Sequence, residues 1–151
     1  MIRMARVDEF EFLSDLAFRS KATWGYSTTT MEIFRGELTL SPNLVGQVFV
    51  GEWSGARDGF YSLGESSSAR VELCHLFVEP VFMGRGYGRE LLLDAADRCR
   101  AHHFETLVIH GDPHALDFYA RMGAARIGEV ESGSIAGRML PLFELNLRNM
   151  K

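Results

Sequence analysis

The stretch FVEPVFMGRGYGRELLLDAADRCR, residues 77–100, decides how the chain is read. An apolar segment ends at Glu79-Pro80. Gly84, Gly86 and Gly88 follow within five positions, and a run of helical period begins at Arg89. Glycine loses more backbone freedom on folding than any other residue, so three together mark a place where that freedom is needed. The freedom has two uses here. Either the chain turns where no side chain fits, or a ligand comes close to the main chain. A glycine-rich turn between a strand and a helix N-terminus exposes backbone N–H groups and the positive end of the helix dipole, an arrangement that suits phosphate. Arg85 and Arg89 add charge beside it. The pattern is G-x-G-x-G in mid-chain, which is not the spacing of a dinucleotide fingerprint, and no P-loop lysine follows. From the loop alone, a tight turn and a phosphate cradle both stay open.

Working outward, Leu91, Leu92, Ala95, Ala96 and Cys99 share one helical face, with Asp94, Asp97, Arg98 and Arg100 on the other. A helix is therefore expected from residue 89 to about 102. TLVIH at 106–110 is a short buried strand, and 69–78 is the strongest strand in the chain. Strand, helix and strand make a βαβ unit whose crossover is right-handed and whose strands are parallel. Strands at 44–53, 59–64 and 69–78 form an antiparallel meander, with SGARDG and GESSSA as its turns. Before it come a strand at 2–7, a helix at 8–21 opened by an Asp8–Glu11 capping box, the loop TWGYSTTT and a second helix at 30–38. After the βαβ unit, Asp112-Pro113 reads as N-cap and first helical residue. Leu116, Tyr119 and Met122 lie on one face of that helix, and Gly123 caps its end. Strands at 125–130 and 142–147, joined by ESGSIAGRMLP, close the chain. The order is β-α-α-β-β-β-α-β-α-β-β, with no internal repeat or linker, so 1–151 is expected to be one α/β (α+β) domain.

Composition bounds the function. Apolar residues make up 46% and charged residues 24%, the balance of an ordinary globular protein. A net charge of −4 argues against nucleic acid as a partner and is compatible with a cationic substrate. No apolar run reaches membrane-spanning length, and the first residues lack the apolar core of a signal peptide. Cys74 and Cys99 sit in apolar segments and read as reduced core thiols of a cytoplasmic protein.

Two motifs together are more specific. LFVEPVFMGRGYGRELL, followed by DPHALDFYARMGA, resembles the GNAT superfamily of N-acetyltransferases. That family carries a strand, a Q/R-x-x-G-x-G/A loop and a helix, and then a second helix with an A-x-x-F-Y-x-x-x-G-F-like run. Here the loop is Met83-Gly84-Arg85-Gly86-Tyr87-Gly88, and the second run spans residues 115–124. The resemblance covers nearly the whole element order. It implies a mixed, mostly antiparallel central sheet with a splayed parallel strand pair and about four helices. It also implies acetyl-CoA as co-substrate and a small-molecule or peptide amine as acceptor, with no nucleic acid and no membrane; many relatives form homodimers. The pantetheine arm would run along the main chain at Phe77 and Val78. The pyrophosphate would sit on amides of Gly84 to Gly88, with Arg85, Tyr87, Arg89, Asp112 and Phe118 also at the cofactor. Two positions depart from the family. Met83 stands where Gln or Arg is usual, and Asp112 stands where an Asn often contacts the cofactor.

The same resemblance implies direct transfer, with Glu72 as candidate general base and Tyr119 as the group that donates to the departing thiolate. Glu72 also stands out on its own, because it interrupts the apolar strand VELCHLFV, where an unpaired carboxylate is expensive. A salt bridge to Arg70 is the competing reading. Tyr119 has a core-aromatic reading beside the catalytic one. By strand alternation His75 faces away from Glu72 and reads as structural. Trp24 and Tyr26 suit a substrate wall or a cap on the core. Ser132, Ser134 and Arg138 lie in the last connection, where Arg138 either binds a substrate carboxylate or pairs with Glu131 on the surface, the reading preferred here. Cys99 and His102 have C-x-x-H spacing, with His110 and His114 further along, but no second pair completes a metal site. The rival from another class is a non-catalytic acyl-CoA-binding or sensing module on the same fold.

Overall fold

The computed structural model describes residues 1–149. Its elements are β1 (Ile2–Met4), α1 (Phe10–Ala22), α2 (Thr28–Leu38), β2 (Val48–Gly51), β3 (Gly59–Ser67), β4 (Arg70–Val78), α3 (Tyr87–Ala101), β5 (Thr106–His110), α4 (Leu116–Arg121), β6 (Ala125–Glu131) and β7 (Met139–Asn146). Among the described residues the strands form one mixed sheet in the order β1-β2-β3-β4-β5-β7-β6. Only β4 and β5 pair in parallel, joined by α3 as the βαβ pattern requires. By internal contacts the chain divides into two compact units: Met1–Leu63 with His75–Asp94, and Gly64–Cys74 with the chain from Ala95 onward.

In the first unit, β1, β2 and the start of β3 pair antiparallel, with Arg3 opposite Val50 and Val50 opposite Phe60. Its interior is built by Leu13, Leu16 and Ala17 of α1, Met31, Phe34 and Leu38 of α2, and Val48, Val50, Phe60 and Tyr61 of the strands, all buried. The first helix begins differently from expectation. A 3-10 turn, Val7–Glu9, precedes α1, and the box between Asp8 and Glu11 does not form. Instead the Glu9 carboxylate accepts from the Arg6 backbone N–H at 2.9 Å, because Glu9 is the acid turned inward toward Arg3 and Arg57. The second helix starts at Thr28, where Ser27 Oγ accepts from Thr30 N at 3.1 Å. β2 is shorter than expected, since a 3-10 turn (Pro42–Leu44) and Gly46 at φ +87° occupy the residues before it.

In the second unit, β4 and β5 register from Arg70↔Thr106 to Leu73↔Ile109, and β7 pairs antiparallel with both β5 and β6. Leu107, Ile109, Phe143, Leu145, Ala96 and Cys99 form its core. The polar run at 64–69 is mostly strand: β3 continues to Ser67, and only Ser68, at φ +52°, and Ala69 turn. Backbone pairing is indifferent to side-chain polarity when those side chains face solvent, as Glu65, Ser66 and Ser67 do. Cys74 also departs from its expected core position and is exposed. Alternation sends Val71 and Leu73 inward and leaves Cys74 on the side of Arg70 and Glu72. α4 is a short helix behind a 3-10 turn (Pro113–Ala115), and Gly123 at φ +89° ends it.

Candidate active site

The glycine loop is built by a sequence of stops. Glu79 N donates to Asp58 O at 2.8 Å at the end of β4, and a 3-10 turn, Pro80–Phe82, follows. Met83 is extended, and Gly84 and Gly86 take φ +78° and +86°, a region that L side chains rarely adopt. α3 then begins at Tyr87, and Glu90 N donates to Gly86 O at 3.1 Å. The amides of Tyr87, Gly88 and Arg89 thus lie in the turn where a helix has no internal acceptor to offer them. A Cβ placed on Gly84 or Gly86 would meet no heavy atom within 4 Å, so open space stands against this backbone. Exposed amides, a helix dipole and free approach fit a bound pyrophosphate. Phe77 and Val78 lie beyond the last registered β4–β5 pair, with Val78 buried and Phe77 half-buried.

The side chains around the loop are less available than its backbone. The Arg85 guanidinium lies 5.3 Å over the Phe82 ring, while Arg89 is exposed. Met83 has its Sδ 3.8 Å from the Thr23 hydroxyl, which ties it to the end of α1 and gives this departure from the family pattern a structural contact. Tyr87 stacks on Trp53, a residue with no motif to mark it in the sequence. Trp24 is half-buried, and its N–H donates to Lys21 O at 3.2 Å. Tyr26 meets Phe34 edge-on at 5.1 Å, and the Lys21 ammonium lies 4.3 Å over Phe34. His75 is structural: its Nε2 donates to Glu37 O at 2.8 Å and its Nδ1 accepts from Ser62 Oγ at 2.6 Å. Burial pushes its pKa below the ordinary 6.5.

The second unit holds the candidate acid–base groups. Glu72 does not pair with Arg70, whose guanidinium is engaged by Glu144. The His110 imidazole lies beside Glu72, with Nδ1 3.7 Å from Oε1, too far for a hydrogen bond. Glu72 lines an open groove of about 260 Å³ together with Glu65, Ser66 and Ser67. Tyr119 is 7% exposed, with its ring 5.1 Å from Phe118 and 5.4 Å from Phe143. Gly111 lets these rings close up, since a Cβ there would lie 3.1 Å from Phe143 and 3.4 Å from Tyr119. Burial, and secondarily the charge of Asp112, push the Tyr119 hydroxyl above its ordinary pKa.

Asp112 caps the turn before α4, accepting from His114 N at 2.9 Å. Its carboxylate also lies 2.8 Å from His114 Nδ1 and 3.3 Å from Arg138 Nη2. Arg138 therefore does not pair with Glu131 on the surface, as the sequence reading preferred. It is largely buried beside Asp112, and Glu131 accepts from Gly137 N at 2.8 Å instead. Register brings residues 112 and 138 together, whereas nearness along the chain favoured Glu131. Ser132 accepts from Ser134 N and Ile135 N and so folds the β6–β7 connection on itself. Cys99 is buried, and His102 Nδ1 donates to Arg98 O at 2.9 Å. Among the described residues no three His, Cys, Asp or Glu side chains are grouped to hold a metal ion, and no helix is long and apolar enough to cross a membrane.

Comparison with known proteins places these features. A family model described as an acetyltransferase (GNAT) domain matches residues 13–134. A GCN5-related N-acetyltransferase from Rhodopseudomonas palustris superposes with a TM-score of 0.80 at 18% identity, covering 97% of this chain and 94% of that one. The PaiA N-acetyltransferase from Thermoplasma acidophilum, solved in complex with coenzyme A, gives 0.74 at 18% identity over 97% and 98%. The yncA protein from Salmonella typhimurium, solved with acetyl-CoA, gives 0.69 at 21% identity over 97% and 93%. These likenesses are of fold. No curated protein matches the chain.

Proposed function

The chain belongs to the acetyltransferase (GNAT) domain family, and from that premise we propose that it transfers the acetyl group of acetyl-CoA directly to an amine of a small molecule or peptide. The observation that carries this reading is the loop. Gly84 and Gly86 hold left-handed backbone immediately before α3, with nothing standing against them. Positive φ and open space also occur at Gly25, Gly46, Gly55, Gly123 and Gly137; what sets this loop apart is two such glycines within three positions directly ahead of the 15-residue helix α3.

Acetyl-CoA supplies an activated acyl carbon as a thioester. The protein's share is to hold it and to manage protons. Amides of residues 84–88 bind the pyrophosphate, and main chain at Phe77 and Val78 takes the pantetheine arm. A backbone N–H there also polarises the carbonyl. An acceptor amine with a lysine-like pKa is only about one part in a thousand neutral at pH 7, so its proton must be taken up before attack. Glu72 takes it: the carboxylate is a third exposed, and among the described residues no cation is hydrogen-bonded to it. As the new C–N bond forms, the C–S bond breaks and the electron pair leaves with sulfur. The Tyr119 hydroxyl donates to that sulfur. Its raised pKa keeps the hydroxyl protonated at neutral pH, so it serves as a hydrogen-bond donor more than as a full proton source. A thiolate of pKa about 8.5 needs no more. Asp112 is a cap and an ion-pair partner, so its charge is already balanced where the family's Asn would be neutral. Trp24 and Tyr26 are the acceptor-side residues in this reading.

Thermal shift and thiol release test it. Acetyl-CoA should raise the melting temperature, and at least one amine in a panel of metabolites, antibiotics and peptide N-termini should release free thiol. A protein that neither shifts nor releases thiol ends the proposal. Binding without release for any amine favours the sensing module instead. Full turnover in both Glu72→Gln and Tyr119→Phe would remove the assigned roles while leaving the activity.

A further inference from the structure

The open loop raises a mechanical question. Gly84 and Gly86 have no side chains to anchor them, and a Cβ on either would meet open space, yet a phosphate cradle works best when its amides are already aimed. Tyr87, the residue that follows Gly86, is the nearest anchor. Its ring lies flat on the Trp53 indole, with centroids 4.2 Å apart and planes 7° from parallel. Phe82 meets the same tyrosine edge-on at 6.0 Å.

Trp53 is itself held. The indole lies against Gly51, where any Cβ would collide with the ring. The backbone N–H groups of Trp53 and Ser54 both donate to Asp58 Oδ2 at 2.7 Å, and the Ser54 hydroxyl donates to Oδ1 at 2.7 Å. Asp58 is 1% exposed, and its N–H donates back to Gly51 O at 2.9 Å. The Asp58 carbonyl accepts from Glu79 N, just ahead of the glycine loop. One buried aspartate thus fixes the residue beneath the stack and the strand end from which the loop departs. A loose aromatic on the surface would show none of this support.

We propose that Trp53 is a positioning residue for the acyl-donor site: by stacking on Tyr87 it holds the start of α3 and the amides of residues 84–88 in their binding geometry before the donor arrives. The ligand in this statement rests on the acetyl-CoA reading above; the mechanical coupling does not.

The test uses Trp53→Leu, which keeps apolar bulk over Gly51 but has no ring face, and Trp53→Phe, which keeps a ring. In the ligand-free protein, Trp53→Leu should speed hydrogen exchange at residues 90–92, the first hydrogen-bonded amides of α3, by about fivefold or more, with β2 and β4 unchanged. With coenzyme A as probe, its dissociation constant should rise by about 3- to 10-fold, the worth of an aromatic pair, while turnover at saturating donor stays within about twofold. Trp53→Phe should recover most of the affinity. Adding Trp53→Leu to Tyr87→Leu should cost nothing further, because both remove one contact. Unchanged exchange at 90–92, or losses that add in the double variant, overturn the proposal. Should Trp53→Leu not fold, Tyr87→Leu removes the same stack from its other side and is judged by the same exchange criterion. A wild-type protein that binds no coenzyme A sinks the donor reading, and the exchange data still decide whether Trp53 stiffens the loop.

Discussion

Two carboxylates in this molecule began as the same chemical group and ended in opposite environments. Glu9 is 1% exposed and surrounded by guanidinium groups: Arg3 binds both its oxygens at 2.8 and 3.0 Å, Arg57 lies at 3.4 Å and Arg6 at 3.7 Å. Glu72 has a third of its side chain in solvent, with the His110 imidazole at 3.7 Å. The Arg3 hydrogen bonds hold the Glu9 carboxyl down at about 2, which makes it a poor base at neutral pH. Glu72 has no such cage and opens on a groove. Burial alone therefore does not single out the acid proposed here as the base. Availability does, and it is set by which cations the neighbouring strands and turns supply.

The sharpest way to break this contrast is to neutralise each acid in turn. Glu72→Gln should lower turnover with a good amine acceptor by about 100-fold, the usual worth of a general base, with coenzyme A affinity and melting temperature little changed. A variant that melts early with normal turnover would make Glu72 structural. Glu9→Gln should do the reverse. It removes the shared counter-charge of three guanidinium groups, of which Arg3 keeps Glu52 and Arg6 keeps Asp8, and should cost about 2 kcal/mol, less than a fully buried pair because those groups reach solvent. That is a fall of about 4–8 °C in melting temperature for a chain of this size, with turnover below the transition unchanged.

Acid titration sharpens the same point. The folded pKa of Glu9 lies below its ordinary 4.5, so the native state binds fewer protons than the unfolded chain. The stability from this pair is present above about pH 4.5 and disappears as pH falls toward 2. After solvent screening it should amount to about 1–2 kcal/mol between pH 5 and pH 3, measured by urea unfolding, and Glu9→Gln should remove that slope. His75 acts in the same direction at higher pH. Burial keeps it neutral in the native state, so stability should begin to fall as pH drops below 6.5, and His75→Gln should flatten that limb. Two smaller effects belong to the second unit. Tyr119→Phe should slow turnover by about tenfold without abolishing it, since a thiolate leaves readily unaided. His110→Gln should change turnover by no more than about threefold, because 3.7 Å is too long for a hydrogen bond to Glu72. A larger loss would mean that the pair works as a unit.

The elements that could be read ahead of the structure were those governed by short-range rules. The helical face of Leu91, Leu92, Ala95, Ala96 and Cys99, the Asp112-Pro113 start and the Gly123 stop all reappear in α3 and α4. Errors gathered where a choice lay between similar neighbours. Asp8 and Glu11 had the spacing of a capping box, but Glu9 took the role because Arg3 and Arg57 draw it inward. Cys74 sits in an apolar run, yet strand alternation turns it outward. Arg70 reaches past β5 to Glu144 on β7, and Arg138 reaches Asp112, 26 positions away. Trp53 carried no pattern at all, since its meaning lies in the ring it touches.

By itself the sequence determined the element order, the βαβ unit and the glycine loop, because hydrophobic period and the backbone freedom of Gly84 and Gly86 are properties of a few consecutive residues. Only the tertiary structure decided which acid is caged and which is open, which arginine balances Asp112, and that Tyr87 rests on Trp53. Those outcomes depend on strand register and on side chains meeting across long separations. The contacts involved are worth a kcal/mol or a few each, too little to leave a mark on local residue patterns and enough to settle what each group can do.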